Sequence, residues 1–278
     1  MNRRLFTQLA FLTTGLASFW ADANAKQKVE PRQAQAMEQA LQAHKAFMAI
    51  DGVQMMGEEH IAMLLYPGFT ALDLVGPQYI FASLMGANVH LVSPTPDLAP
   101  VQCDTGFMIV PTITQQDLPE KLDLLFLPGS ASGVLQAMKN DTFIDFIRTK
   151  AQHSRFVTSV CTGSLLLGKA GLLKGKKASS HWVTLDLLAK LGAMPVQQRV
   201  VWDGNIITGG GVTAGMDYGL EVAAALRGRK YAEALQLQAE YDPHPPFDVG
   251  SPDKADPVVK NMVESMFAPL HVKLELEL

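Results

Sequence analysis

Short apolar runs along the chain alternate with stretches that have helical periodicity. The runs IAMLL, NVHLV, LDLLFL and FVTSV are bounded by proline, glycine or polar residues, which is typical of buried parallel strands. Stretches with apolar residues at helical spacing, such as VTAGMDYGLEVAAALRG, lie between and after them. RVVWDGNIITGGG adds a hairpin with Asp203-Gly204 at its turn. The alternation predicts an α/β fold with a mainly parallel sheet that helices cover on both faces.

The first 25 residues depart from this pattern. Arg3 and Arg4 precede a modestly apolar stretch, and Ala23-Asn24-Ala25 satisfies the small-x-small rule for cleavage. Residues 1–25 are therefore predicted to be a signal peptide, and the protein to be periplasmic or secreted without a stable membrane anchor. The arginine pair favours the twin-arginine export machinery, and the general secretion route is the alternative.

Two segments flank a predicted domain at residues 59–253. In residues 26–58, Pro31 begins a predicted helix that either packs on the domain or a partner, or acts as a solvated spacer. One face of this helix carries Met37, Ala40, Leu41, His44, Phe47 and Met48. The extension at residues 254–278 ends in HVKLELEL, which alternates like a strand but, at a terminus, has no evident place in the sheet.

Charge and residue spacing remove several classes of function. The net charge is −4, so there is no basic surface for nucleic acid, and no later segment is apolar enough to span a membrane. The seven histidines are scattered rather than set at the spacing of metal ligands. Gly209, Gly211 and Ala214 match a dinucleotide-binding G-x-G-x-x-A pattern, but they follow a hairpin late in the chain. Close packing of a helix on a strand is therefore the better interpretation.

Cys161 is the strongest candidate for a nucleophile. It stands between the strand FVTSV and a helix that begins near Gly163, so the turn is expected to expose its thiol as a nucleophile elbow does. Gly163 leaves the turn uncrowded, and a helix N-terminus is expected to lower the pKa of the thiol. The alternative is a small residue of the apolar core. A disulfide with Cys103 would make Cys161 inert, so we expect two free thiols.

Asp73 is the candidate partner of Cys161. It follows the first predicted strand, and the carboxyl ends of parallel strands meet at one edge of a sheet, so the two side chains can come together. Burial and a neighbouring thiolate would raise the pKa of the carboxyl, which could then hold the proton that a reaction needs. The alternative role for Asp73 is an acid in the first turn, or the N-cap, of a helix.

Five strings of the chain resemble those of a known family. They are LDLVGP at 72–77, LPGS at 127–130, SVCTGSLLLGKAGLLKGKKASSHW at 159–182, ITGGGVTAGMD at 207–217, and LQLQAEYDPHPPFDVGSP at 235–252. Through them, the chain from about residue 61 to residue 253 resembles the ThiJ/PfpI group of the class I glutamine amidotransferase-like superfamily, and within it the isonitrile hydratases. The resemblance implies a three-layer, flavodoxin-like sandwich, a homodimer, and no cofactor or metal. It also implies hydration of a small isonitrile to an N-substituted formamide through a thioimidate on cysteine.

The same resemblance assigns roles to residues. Asp73, Cys161 and Thr162 match the functional residues of the isonitrile hydratases, with Thr162 expected to position Asp73, water or the intermediate. The backbone N–H of Gly129 would stabilise an anion. Ser130 stands where the family usually has a second glycine, and we expect its side chain to narrow the pocket or add a donor.

The resemblance leaves other activities open. Peptidase-like members have histidine directly after the cysteine, whereas this chain has Thr162, so a Cys-His pair lacks its base. His181, in SSHW, either reaches the site or begins a helix. Related domains sense ligands or oxidation in transcription regulators, and others handle glyoxals or act in stress. The predicted export signal is unlike the cytoplasmic enzymes of the group, so the physiological substrate is open.

Overall fold

A six-stranded sheet forms the centre of the computed structural model, which describes residues 30–131 and 133–278. The predicted signal at residues 1–25 lies outside the described residues, so export stays a prediction. The strands are β1 (His60–Leu64), β2 (Asn88–Val92), β3 (Val101–Gln102), β4 (Met108–Ile109), β5 (Leu122–Leu127), β6 (Ser154–Val160), β7 (Lys177–Ala178), β8 (Met194–Pro195), β9 (Val200–Asp203) and β10 (Ile206–Gly209).

The order of strands in the sheet is β2-β1-β5-β6-β10-β9. Strands β2, β1, β5, β6 and β10 are parallel to their neighbours, and β9 pairs antiparallel with β10 across the predicted Asp203-Gly204 turn. Except in the partly buried edge strand β2, the apolar runs are buried because both faces of the sheet are covered. The predicted mainly parallel sheet and the hairpin are confirmed. Strands β3 and β4 form a separate hairpin around Cys103.

Helices cover the sheet in two groups. They are α1 (Pro31–Met48), α2 (Ala71–Ala82), α3 (Val134–Met138), α4 (Asp141–Ala151), α5 (Gly163–Lys169), α6 (Leu187–Lys190), α7 (Ala214–Arg227), α8 (Arg229–Gln238) and α9 (Pro257–Glu275). Helix α2 packs on α7 and α7 on α8, whereas α3, α4 and α5 pack on one another. Because α2 joins β1 to a strand on one side and α4 joins β5 to a strand on the other, right-handed crossovers place the groups on opposite faces. The three-layer, flavodoxin-like sandwich is confirmed.

The close packing of α7 on the sheet depends on small and aromatic residues. The ring of Tyr218 stacks on Phe126 and meets Phe81 edge to face, with ring centroids 5.6 Å and 5.9 Å away. A Cβ on Gly209 would lie 3.1 Å from Cγ2 of Val160, so a larger residue would crowd the neighbouring strand. Packing thus accounts for the glycine-rich string that precedes α7, as its late position in the chain predicts.

The two flanking segments are both helical. Helix α1 is largely exposed and packs on the core through the partly buried Phe47, near Met55 and Tyr231. HVKLELEL alternates like a strand, but the structure shows a helix there, because residues up to Glu275 continue α9. Leu270, Leu274 and Leu278 recur at helical spacing and pack against the core, which satisfies a helical rather than a strand period. Among the described helices, none is long and apolar enough to cross a membrane.

Candidate active site

Cys161 lies at a strained turn between β6 and α5. Its φ angle is +59°, in the left-handed region that residues other than glycine seldom adopt. The backbone N–H of Cys161 donates to the carbonyl of Gly210 at 2.7 Å. Its carbonyl accepts from the hydroxyls of Ser164 at 3.1 Å and Ser180 at 3.2 Å. Hydrogen bonds at both ends of the residue therefore hold the strained conformation, which is the geometry expected of a nucleophile elbow.

Gly163 lets this turn approach the sheet. A Cβ at this position would lie 2.4 Å from the carbonyl oxygen of Leu127 and 2.9 Å from that of Pro128. The uncrowded turn expected of Gly163 is thus a packing requirement against the end of β5. Cys161 itself is only 5% exposed, so the expected exposure of its thiol is wrong.

Asp73 and Cys161 come together as the topology predicts. Asp73 is fully buried in the first turn of α2, at the edge of the sheet where β1 ends. Its carboxyl and the Cys161 thiol are close enough for each to shift the pKa of the other. Its Oδ2 accepts the backbone N–H of Gly129 at 2.8 Å, and its Oδ1 has no conventional hydrogen-bond partner among the described residues. Oδ1 is therefore the oxygen available for a proton or a substrate.

Gly129 lies at the point where the candidate residues meet. A Cβ on it would lie 2.6 Å from the N of Thr162, 2.7 Å from Oδ2 of Asp73 and 2.7 Å from Cβ of Cys161. No side chain fits in that space. The N–H of Gly129 is directed at the Asp73 carboxylate. The anion that this N–H stabilises is therefore a side chain of the protein, whereas the resemblance implies an anion of the substrate.

Burial changes the acidity of both reacting groups. It raises the pKa of Asp73 from 3.8 to about 7, against the opposing hydrogen bonds from Gly129 and Cys161 and with a small addition from the charge of Asp104. The predicted rise is thus found, with burial as its main cause.

Burial, followed by the negative charge of Asp73, also raises the pKa of the Cys161 thiol well above its ordinary value. The lower pKa predicted from the helix N-terminus is wrong, because hydrogen bonds from Thr162 only partly offset these two effects. The thiol therefore keeps its proton at neutral pH unless a neighbouring base removes it.

Thr162 fastens the elbow to the turn after β5. Its hydroxyl donates to the carbonyl of Ser130 at 2.8 Å and accepts the N–H of Ser130 at 2.8 Å. No hydrogen bond among the described residues joins Thr162 to Asp73. The hydroxyl of Ser130 donates to the carbonyl of Gly68 and accepts the N–H of Gly133. The single hydroxyl proton of Ser130 is thus donated to the loop that follows β1, and the additional donor for a substrate is not found.

His181 stays outside the reacting pair. It caps the 3₁₀ turn Trp182–Thr184, and its Nδ1 accepts the N–H of Val183 at 3.4 Å. Its ring packs near Phe267 of α9, and burial lowers its pKa. No hydrogen bond between His181 and Cys161 or Asp73 occurs in the described part of the chain. Of the two roles considered for His181, the structure shows a residue that begins a helical turn.

Three further residues support the site, and sequence reasoning missed them. Tyr66 donates to the carbonyl of Pro128, Asp104 accepts the N–H of Ala71 at the start of α2, and Ser180 holds the Cys161 carbonyl. Tyr66 lies two residues after the end of β1, so its place at the carboxyl edge of the sheet is a signal that the sequence contains. Asp104 comes from the β3–β4 hairpin, which therefore lies near the site. Cys103 in the same hairpin is a free thiol, as is Cys161.

Residues 59–225 of the chain match the model of the DJ-1/PfpI family. The chain belongs to the DJ-1/PfpI family. Among curated relatives, it is 50% identical to the isonitrile hydratase of Pseudomonas putida over 218 residues, which are 78% of this chain and 93% of that protein. It is 29% identical to DJ-1alpha of Drosophila melanogaster over 141 residues, 50% of this chain and 65% of that protein.

Solved structures of DJ-1/PfpI proteins agree with this fold. A ThiJ/PfpI family protein from Pseudomonas syringae superposes with a TM-score of 0.79 at 43% identity, covering 91% of this chain and 97% of that one. DJ-1beta of Drosophila melanogaster gives a TM-score of 0.58 at 19% identity, covering 66% of this chain and 98% of that one, which shows the fold alone. The family match ends at residue 225, so the predicted boundary at 253 stays a prediction.

Proposed function

We propose that this DJ-1/PfpI protein is an isonitrile hydratase, which adds water to a small isonitrile and releases an N-substituted formamide. The observation that carries the proposal is the buried pair of Asp73 and Cys161 at the elbow. The 50% identity to the isonitrile hydratase of Pseudomonas putida supports it. No group of three or more His, Cys, Asp or Glu side chains within residues 30–131 and 133–278 could bind a metal ion.

The chemistry of an isonitrile suits such a pair. The terminal carbon of R–N≡C accepts a proton and then a nucleophile at the same atom, so a proton donor and a nucleophile must lie side by side. Asp73, with its pKa of about 7, can take up and release a proton near neutral pH. Cys161 holds its proton until the adjacent carboxylate accepts it.

In the first half of the proposed reaction, Asp73 carries the thiol proton to the terminal carbon and the sulfur of Cys161 bonds to that carbon. The S–H bond breaks, C–S and C–H bonds form, and the product is a thioimidate, R–N=CH–S–Cys161. The N–H of Gly129 stabilises the Asp73 carboxylate whenever the proton has left it.

In the second half, the Asp73 carboxylate removes a proton from water and passes it to the thioimidate nitrogen, while the hydroxide that remains adds to the thioimidate carbon. The tetrahedral adduct then expels the Cys161 sulfur, which regains its proton from the hydroxyl of the adduct as the C=O bond forms, and R–NH–CHO leaves. The two hydrogen bonds between Thr162 and Ser130 hold the elbow against the turn that carries Gly129 during both halves.

The direct test of this function is an assay of the purified protein against a panel of alkyl and aryl isonitriles, with methylglyoxal as a control substrate. We expect formamide formation, and an acid-quenched sample should carry the full mass of one isonitrile on Cys161 and none on Cys103. Cys161→Ala keeps a small residue at the turn and should show neither product nor adduct. Turnover of methylglyoxal without turnover of any isonitrile would contradict the proposal and favour a glyoxal-handling enzyme.

We also propose that the protein is a homodimer, as its resemblance to the family implies. Leu72, Val75 and Tyr79 form a stripe on α2, and each is more than two-fifths exposed. An apolar stripe of this kind is covered when two copies associate through the same surface. Light scattering at micromolar concentration should give twice the monomer mass for the wild type. For Val75→Glu it should give the mass of a single monomer. A monomeric wild type would contradict the prediction.

A further inference from the structure

We infer that Tyr66 is a positioning residue that controls the protonation of Asp73 through one peptide group, Pro128–Gly129. The hydroxyl of Tyr66 donates to the carbonyl of Pro128 at 2.8 Å. The N–H of Gly129 donates to Oδ2 of Asp73 at 2.8 Å. That carbonyl and that N–H are the two ends of one planar peptide group. A continuous chain of hydrogen bonds therefore runs from the Tyr66 phenol to the Asp73 carboxylate.

This series of hydrogen bonds acts on Asp73 in two ways. A donor at the carbonyl end polarises the peptide and strengthens the hydrogen bond that its N–H makes, an effect that is larger in a buried site than in water. The same donor fixes the plane of the peptide, at a position where Gly129 has no side chain to do so. Because the N–H of Gly129 favours the charged carboxylate, Tyr66 opposes the rise in the pKa of Asp73 that burial causes.

Tyr66 is a permanent donor in this arrangement. It is only 3% exposed, and its ring lies 6.0 Å from that of Phe143. Burial, together with the negative charges of Asp73, Cys161 and Asp104, raises the pKa of its phenol far above the ordinary value. The hydroxyl therefore keeps its proton throughout the pH range in which Asp73 titrates. The remaining titratable groups that act on Asp73 are Cys161 and Asp104.

The inference rests on the proposed role of Asp73 as the group that moves the proton, but it can be tested without substrate. Tyr66→Phe keeps the ring and removes the donor. We expect the pKa of Asp73 to rise by about 0.5 unit, since a neighbouring bond strengthens a hydrogen bond by roughly 10–30%. The readout is the ¹³C chemical shift of the Asp73 carboxyl as a function of pH, with the resonance assigned by its loss in Asp73→Asn.

Tyr218→Phe is the matched control. Tyr218 is buried in α7 and donates to the hydroxyl of Thr158, so its variant also loses one buried hydrogen bond, away from the Pro128–Gly129 peptide. It should lose stability and leave the titration of Asp73 unchanged. An Asp73 pKa in Tyr66→Phe that equals or falls below that of the wild type would overturn the inference.

A second variant keeps the test decisive if Tyr66→Phe does not fold. Replacing Tyr66 with 3-fluorotyrosine makes the phenol more acidic and a stronger donor, so the pKa of Asp73 should fall rather than rise. A role in packing alone moves the titration in neither direction. Because these titrations need no isonitrile, the inference can survive when the hydratase assay fails, and can fail when that assay succeeds.

Discussion

Replacing Asp73 with asparagine should lower turnover by about 100-fold or more while it makes the fold more stable above pH 7. The amide is nearly isosteric with the carboxyl, and its oxygen can still accept the N–H of Gly129, so the structure of the site should be kept. An amide cannot carry a proton from the Cys161 thiol to the isonitrile carbon, so the reaction loses its proton transfer. The activity loss is measured with an isonitrile at pH 7, with Cys161→Ala as the zero level.

The opposite effect on stability follows from the raised pKa. In the unfolded chain the carboxyl ionises near 3.8, whereas in the fold it ionises near 7. Below pH 3.8 the carboxyl is neutral in both states, so its ionisation does not reduce the free energy of unfolding. As the pH rises to 7 the free energy of unfolding decreases, because the unfolded chain releases a proton that the folded protein retains. The cost to the wild type grows to about 4 kcal/mol, and asparagine does not incur it.

Urea unfolding at pH 5 and pH 8 measures this difference. The stability of Asp73→Asn relative to the wild type should increase between the two pH values. Asp256→Asn is a suitable control, because that carboxyl is exposed, accepts the N–H of Val258 at the start of α9 and does not act on the pKa of Asp73. A relative stability of Asp73→Asn that is equal at both pH values would show that Asp73 is an ordinary carboxylate in the fold, and the proposed proton transfer would lose its basis.

The sequence predicts the features of this site that depend on local pattern and topology. FVTSV followed by a glycine-containing helix is enough to predict the elbow at Cys161. The rule that parallel strands end at one edge is enough to bring Asp73 to it. Both conclusions need only the order of elements along the chain.

The acidity of the pair depends on packing, which the sequence does not show. A helix N-terminus is visible in the sequence and predicts a low pKa for Cys161, but the covering of the elbow by distant segments raises it instead. The contact of Asp73 with Gly129 joins residues 56 positions apart, so local spacing gives no sign of it. At the C-terminus, alternation over a few residues leaves HVKLELEL without an evident place, because a helical period needs a longer segment to be recognised.

A contact between residues 168 positions apart ties the segment before β1 to the end of α7. The guanidinium of Arg227 is fully buried and forms a bidentate pair with Glu59, with Nε 2.7 Å from Oε1 and Nη2 bonded to Oε2. It also donates to the carbonyl of Met85 at 3.0 Å. Gly57 allows the segment to pass close by, since a Cβ there would lie 2.5 Å from Nη2 of Arg227.

Arg227→Ala should therefore destabilise the protein by about 3–5 kcal/mol, because it leaves the buried Glu59 carboxylate without its guanidinium partner, whereas the Met85 carbonyl keeps the N–H of Gly57. The double variant Arg227→Met with Glu59→Leu should recover most of that loss, since apolar residues of similar volume need no partner. Urea unfolding measures both. The pair lies at the amino end of β1, at the opposite edge of the sheet from Asp73, so turnover per folded molecule should be unchanged in both variants. A loss below about 1 kcal/mol in Arg227→Ala would mean that water replaces the missing guanidinium and that the segment before β1 is held by other contacts.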